Sequence, residues 1–279
     1  MQVEERVLAF DCDGDRLYGV VSQPAKPGPR AVLVVVGGPQ YRAGSHRQFT
    51  LLARSLARDG IAVMRFDYRG MGDSDGAERA FSDVQEDIRA AIEAFSAAVP
   101  GLREIVLWGL CDGASAAMMY APLDPRVCGV VLLNPWVRTP DGIARTTLRH
   151  YYRDRLADRA FWSDVMRGRL DVVRSFKSIV KLARAAFGPR LAPRANASLP
   201  DRMHAGLQAF TGRVMVIISG ADLTGREFCD LADATPKWRE LLESPRVTQY
   251  RIDRADHTFS RRVWRDQVAD WTSIWLRSW

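Results

Sequence analysis

Cysteine is scarce in this chain, with four in 279 residues: Cys12, Cys111, Cys128 and Cys229. No two of them have zinc-knuckle or CxxC spacing, which excludes a metal-stapled module and a thioredoxin-type redox motif. A chain of this length buries a large core without such staples, and free thiols in a reducing cytosol are expected. No uncharged apolar run reaches the length that spans a bilayer, so a transmembrane helix is excluded. The opening Met1-Gln2-Val3-Glu4-Glu5-Arg6 carries acids where a signal peptide is basic and then apolar. A cytoplasmic location is therefore expected. Internal repeats and low-complexity tracts are also missing, which argues against a solenoid or a linker-rich chain. What is present is a composition of 47% hydrophobic and 26% charged residues, that of a globular chain. Its length suits one α/β domain with an insertion.

The formal net charge is +7, and it is unevenly distributed. Residues 138–206 hold 13 Arg and 2 Lys against 6 Asp and no Glu, a net of +9. The remainder holds 25 basic and 27 acidic residues, a net of −2. The basic character belongs to one segment. It suits a solvated Arg-rich surface and equally a surface that attracts anionic substrates. No helix-turn-helix, zinc-finger or RNA-binding signature accompanies it, so no nucleic-acid partner is expected.

Short apolar runs alternate with helical periodicity. Runs at 31–36, 61–66, 104–108, 129–133, 214–219 and 247–252 read as strands, several apolar throughout, as strands covered on both faces are. Between them, 46–58, 81–99 and 111–120 read as helices, with a helical stretch at 227–242 interrupted by Pro236 and a final helix from 261. Residues 7–10 and 17–21 are expected to form an antiparallel edge. Such repeated β-α units imply a mostly parallel sheet with helices on both faces. Residues 138–206 contain no strand candidate and are broken by Pro189, Pro193 and Pro200. They read as an inserted helical cap, which leaves 1–137 and 207–279 as the core domain. Trp264, Val268, Trp271 and Trp275 form one stripe of the last helix, expected to pack on the sheet.

Chemistry concentrates in Gly109-Leu110-Cys111-Asp112-Gly113, directly between a strand and a helix. This is the nucleophile-elbow pattern with cysteine in place of serine. Its glycines allow a tight strand-to-helix turn, and the helix N-terminus favours a thiolate. Asp112, beside the sulfur, opposes that charge unless it points away or is paired. Asp67-Tyr68-Arg69-Gly70-Met71-Gly72-Asp73-Ser74 follows the preceding parallel strand. With these residues the chain resembles the α/β-hydrolase superfamily over nearly its whole length outside the cap. Within it, Val36-Gly37-Gly38-Pro39-Gln40-Tyr41-Arg42, Gly44-Ser45-His46-Arg47, Trp108-Gly109-Leu110-Cys111-Asp112 and Asp256-His257-Thr258-Phe259 resemble hydrolases associated with the bacterial exosortase A system. That resemblance implies a bacterial setting linked to exopolysaccharide and protein sorting at the envelope.

The superfamily order is nucleophile, acid, histidine. Of His46, His150, His204 and His257, only His257 follows the last strand candidate. His150 and His204 fall in the expected cap, and His46 either starts the first helix or lines the pocket. Asp222 follows the 214–219 strand and is the expected acid, with Asp256 as second choice; the end of the preceding strand reads Asn134. The expected roles are Cys111 as nucleophile, His257 as base and Asp222 as orienting acid. One oxyanion donor is expected at the Asp112 N–H. The other should come from the loop after the first parallel strand, where Pro39 has no N–H to give, so Gln40 is expected to supply it. No metal or organic cofactor is expected. The substrate is expected to be a small-molecule or carrier-bound acyl compound, anionic if the basic segment steers it. Three functions fit: an ester or thioester hydrolase, an acyltransferase using the same triad, and a binding protein that keeps the fold without the chemistry. The pattern specifies no oligomeric state.

Overall fold

The computed structural model describes residues 3–38, 40–137 and 197–279. Pro39 and all but the last ten residues of the expected cap lie outside the described residues. The eight strands form one sheet in the order β1-β2-β4-β3-β5-β6-β7-β8. The first two, β1 (Val3–Cys12) and β2 (Asp15–Pro24), make an antiparallel hairpin, and β2 runs antiparallel to β4. This edge is longer than 7–10 and 17–21. The two-residue Asp13-Gly14 turn, with both φ angles positive, keeps the strands in register to their ends. The remaining strands are parallel: β3 (Arg30–Val35), β4 (Ala62–Asp67), β5 (Glu104–Leu110), β6 (Val127–Leu133), β7 (Arg213–Ser219) and β8 (Val247–Ile252).

The central strands are buried along all but their first one or two residues, and Val32, Leu33, Val34, Val106, Val131 and Val216 sit in the core. That burial on both faces is why they read as continuous apolar runs. The helices form two groups. One holds α1 (Gln48–Arg58) and α7 (Arg262–Arg277), which pack against each other. The other holds α2 (Gln85–Ala98), α3 (Asp112–Tyr120) and α4 (Leu199–Ala209). Two short helices, α5 (Leu223–Ala234) and α6 (Pro236–Leu242), bridge β7 and β8, and Pro236 starts α6 rather than kinking one long helix. Trp275 and Val268 of α7 are buried, and Trp271 stacks on Tyr250 of β8 at 4.4 Å. The expected cap boundary after residue 206 falls inside α4. Met203 and Leu207 are buried there, and a Cβ on Gly206 would lie 2.4 Å from the Met118 carbonyl oxygen.

The strand order places the chemistry. The chain steps from β3 outward to β4, then crosses back to β5 on the other side of β3. Loops leaving β3 and β5 therefore diverge and open a crevice at their C-terminal ends. The Asp67–Ser74 motif braces the crevice from behind. Asp67, buried, accepts from the Arg42 backbone N–H at 2.6 Å and pairs with the Arg42 guanidinium. Arg69 is held by the fully buried Asp87 through two guanidinium nitrogens. Tyr68 donates its hydroxyl proton to the Val36 carbonyl. These bonds tie the loop after β3 to the loop after β4.

Candidate active site

Cys111 sits at the turn from β5 into α3 with φ 62° and ψ −125°. A non-glycine residue holds such a backbone only when its surroundings enforce it. Here its N–H donates to the Leu133 carbonyl at 2.8 Å, and its carbonyl accepts from Ala114, Ser115 and Trp136. Gly109 and Gly113 are needed for closeness. A Cβ on Gly109 would stand 2.5 Å from the Ala114 nitrogen, and one on Gly113 would stand 2.4 Å from the Val35 carbonyl oxygen. The other cysteines differ in setting: burial pushes the Cys12 and Cys128 thiols up to about 11.

His257 lies in the loop after β8. Its Nδ1 is 2.9 Å from Asp222 Oδ2, and its ring lines the same cavity as Cys111. Burial alone would lower its pKa. The hydrogen bonds and charges of Asp222 and Cys111 outweigh that and push it up to about 10. Asp222 is at the same time the N-cap of α5, taking the Gly225 N–H at 2.9 Å on the same Oδ2. Burial opposes its ionisation, but His257 and the Gly225 and Thr224 N–H groups hold its carboxyl below the usual range. Asp256 bonds the Ser260 N–H at 2.9 Å and the Ser260 hydroxyl, so its carboxylate is engaged on its own turn.

Sequence reasoning missed Asn134 in this role. It is fully buried, with φ 42° at the end of β6. Its Nδ2 donates to the His257 carbonyl at 3.1 Å and to Ser219 Oγ at 2.7 Å, and its Oδ1 accepts the Ser219 N–H. One amide thereby fixes the histidine loop against the strand that carries Asp222. The available signal was a polar residue closing an apolar strand.

The N–H that reaches the site from the loop after β3 belongs to Gly38. It donates to Asp112 Oδ2 at 2.7 Å. Gln40 lines the same cavity, but its Oε1 accepts the Ser45 N–H at 3.3 Å. Gly38, the residue before Pro39, has φ 62°, and its N–H is turned toward Asp112. Pro39 itself lies outside the described residues. His46 is exposed, in a left-handed turn before α1 with its charge near Asp256, and does not line the cavity. His204 is buried on α4, its Nε2 3.1 Å from the Lys237 carbonyl and its ring against Trp238. His150 lies outside the described residues.

Cys111, Asp112, His257, Gly37, Gly38 and Gln40 share a cavity of about 280 Å³ with Phe49, Phe81, Leu110 and Trp136. The lining joins these polar groups to apolar and aromatic walls, as suits an acyl group. Among the described residues no group of His, Cys, Asp or Glu could hold a metal ion, and no helix is long and apolar enough to cross a membrane.

Residues 27–183 match the family described as serine aminopeptidase, S33. The chain is 28% identical over 141 residues to the polyketide transferase claH of Penicillium crustosum, covering 49% of this chain and 46% of that one. It is 32% identical over 143 residues to the thiohydrolase apmlB of Arthrinium phaeospermum, covering 48% and 44%. It thus spans less than half of the length of these curated relatives. A solved esterase of Pyrococcus furiosus superposes with a TM-score of 0.67 at 15% identity, covering 99% of this chain and 92% of that chain. At that identity the likeness speaks for the fold alone, an α/β-hydrolase fold.

Proposed function

The chain belongs to the serine aminopeptidase, S33, family of the α/β-hydrolase superfamily, and from that membership we propose that it is a cysteine-nucleophile hydrolase of carboxylic esters or thioesters. The observation that carries this reading is the imidazole of His257, bonded to Asp222 and set in one cavity with Cys111. A thiol is mostly protonated at neutral pH and needs a partner for its proton. His257, with its pKa pushed up to about 10, is the proposed holder of that proton, and the thiolate formed is the attacking species.

The thiolate attacks the acyl carbon, forming a C–S bond and an oxyanion. The Gly38 N–H, which bonds Asp112 Oδ2 in the free protein, and the Asp112 N–H are the proposed donors to that oxygen. Collapse expels the alcohol or thiol, which leaves with the imidazolium proton. Water then gives a proton to His257 as it attacks the thioester, and the carboxylic acid departs as the thiolate re-forms. Asp222 holds the tautomer throughout. Residues 138–206 are proposed as a cap over this cavity, completing a two-part domain organisation. The motif resemblance supports a substrate connected with the exosortase A system, handled in the bacterial cytoplasm, and the +9 segment supports an anionic or carrier-bound acyl group.

A second reading is acyl transfer, in which an amine or alcohol replaces water. It is favoured by a transferase among the relatives at 28% identity. The deciding experiment is intact-mass analysis of the protein after mixing with a panel of p-nitrophenyl esters and acyl thioesters. The expected result is an acyl adduct on Cys111 that decays in water, absent in Cys111→Ala. Turnover by Cys111→Ala equal to wild type overturns the proposal. Product taken up by an added alcohol or amine in place of free acid selects acyl transfer.

A further inference from the structure

We propose that the Asp112 carboxylate occupies the oxyanion hole of the free enzyme and acts as a specificity gate, so that only a substrate held by contacts elsewhere displaces it. This rests on the acylation of Cys111 proposed above. The Gly38 N–H donates to Asp112 Oδ2 at 2.7 Å, and the Gly113 N–H donates to Oδ1 at 3.1 Å. The Gly38 N–H, one of the groups that would stabilise a tetrahedral oxyanion, is thus already satisfied by an anion of this chain. The fit is close, since a Cβ on Gly37 would lie 2.1 Å from Oδ1. The carboxylate shares the cavity with the sulfur and the imidazole.

The groups facing it are Cys111 beside it in the chain, His257 with Asp222 behind it, and the Tyr68 phenol, which is buried and keeps its proton on the Val36 carbonyl. Burial raises the Asp112 carboxyl, and the Gly38 and Gly113 N–H groups with the His257 charge partly offset it. The site therefore holds a desolvated negative charge next to the atom that must itself become negative. This arrangement lowers the rate toward any acyl compound that brings only its carbonyl. A substrate with further contacts can spend their energy on moving the carboxylate out. The motion swings one side chain and needs no change in the elbow.

Two measurements on Asp112→Asn and Asp112→Ala test this. One is the pH midpoint of Cys111 alkylation by iodoacetamide, which senses charge at the sulfur. The other is the rate of Cys111 acylation by p-nitrophenyl acetate, which has few atoms to bind elsewhere. Asp112→Asn nearly keeps the volume and removes the charge; Asp112→Ala empties the hole. The expected result is an alkylation midpoint shifted to lower pH in both variants and acylation faster by about tenfold or more, one donor of such a hole being worth ~10²–10³. A purely structural role predicts lower thermal stability with neither change. If Asp112→Ala does not fold, Asp112→Asn alone decides. Wild-type acylation with no gain in the variants overturns the gate, even if the midpoint moves. No acylation of Cys111 in wild type or either variant overturns the cysteine-nucleophile reading itself, and the gate with it.

Discussion

At the scale of single residues, His257 concentrates the electrostatics of the site. Its pKa is raised from an ordinary 6.5 to about 10 by bonds it makes only when folded. A raised pKa means the folded state holds the proton more tightly than the unfolded chain does. The stabilisation is therefore full below about pH 6.5 and is lost as pH rises through about 10. Asp222 has the opposite sign: its carboxyl is held low, so its contribution is present above 3.8 and is lost as pH falls through its depressed value. Thermal melts of wild type and His257→Gln should thus differ most at neutral to mildly acidic pH and converge toward pH ~10. A gap that widens on the alkaline side would mean that the imidazole is not protonated at rest. Cys111→Ser poses a separate question. Serine depends on its base more than cysteine does, so kcat should fall while binding of product acid is kept. A Ser variant as fast as wild type would show that the thiolate is not the resting nucleophile.

At the scale of elements, the elbow is a packing problem. The first turn of α3 lies so close to β3 that only hydrogen fits at Gly113, where a Cβ would meet the Val35 carbonyl oxygen at 2.4 Å and the Gly37 nitrogen at 3.2 Å. Backbone cannot yield as a side-chain tip can. Gly113→Ala should cost about 1–3 kcal/mol, a fall of roughly 2–12 °C in Tm for a domain of this size. It should also slow Cys111 acylation, because moving α3 moves the sulfur and the Asp112 N–H together. Gly28→Ala is the control: its Cβ would meet nothing within 4 Å. Equal melting of the two variants would show that α3 is free to shift. Asn134 works at the same scale, joining the end of β6 to the Ser219 N–H of β7 and to the His257 carbonyl.

At the scale of the whole molecule, charge is partitioned: +9 in residues 138–206 against −2 in the rest. Such a field raises the local concentration of anions near a low-dielectric cleft and is screened over ~8 Å at physiological salt. For a matched pair of anionic and neutral esters, kcat/KM should favour the anionic one at low salt, and the preference should shrink as salt rises. Equal kcat/KM for the pair at low salt would remove the steering role. The effect belongs in kcat/KM because steering acts on encounter, before the acyl carbon meets the sulfur.

The sequence alone determined the order of strands and helices, since burial on both faces leaves continuous apolar runs and burial on one face leaves helical periodicity. It also singled out Cys111, Asp222 and His257, because each follows a strand end where a parallel sheet collects its loops. Only the tertiary structure decided which neighbours meet. That the Gly38 N–H meets the Asp112 carboxylate depends on one backbone turn ahead of Pro39. That the Asp112 carboxylate lies in the anion-binding position depends on two loops 74 residues apart converging on it. Asn134 becomes a brace only once β6, β7 and the histidine loop lie side by side. Contacts of this kind are set by distance in space, and composition, periodicity and spacing along the chain carry no measure of it.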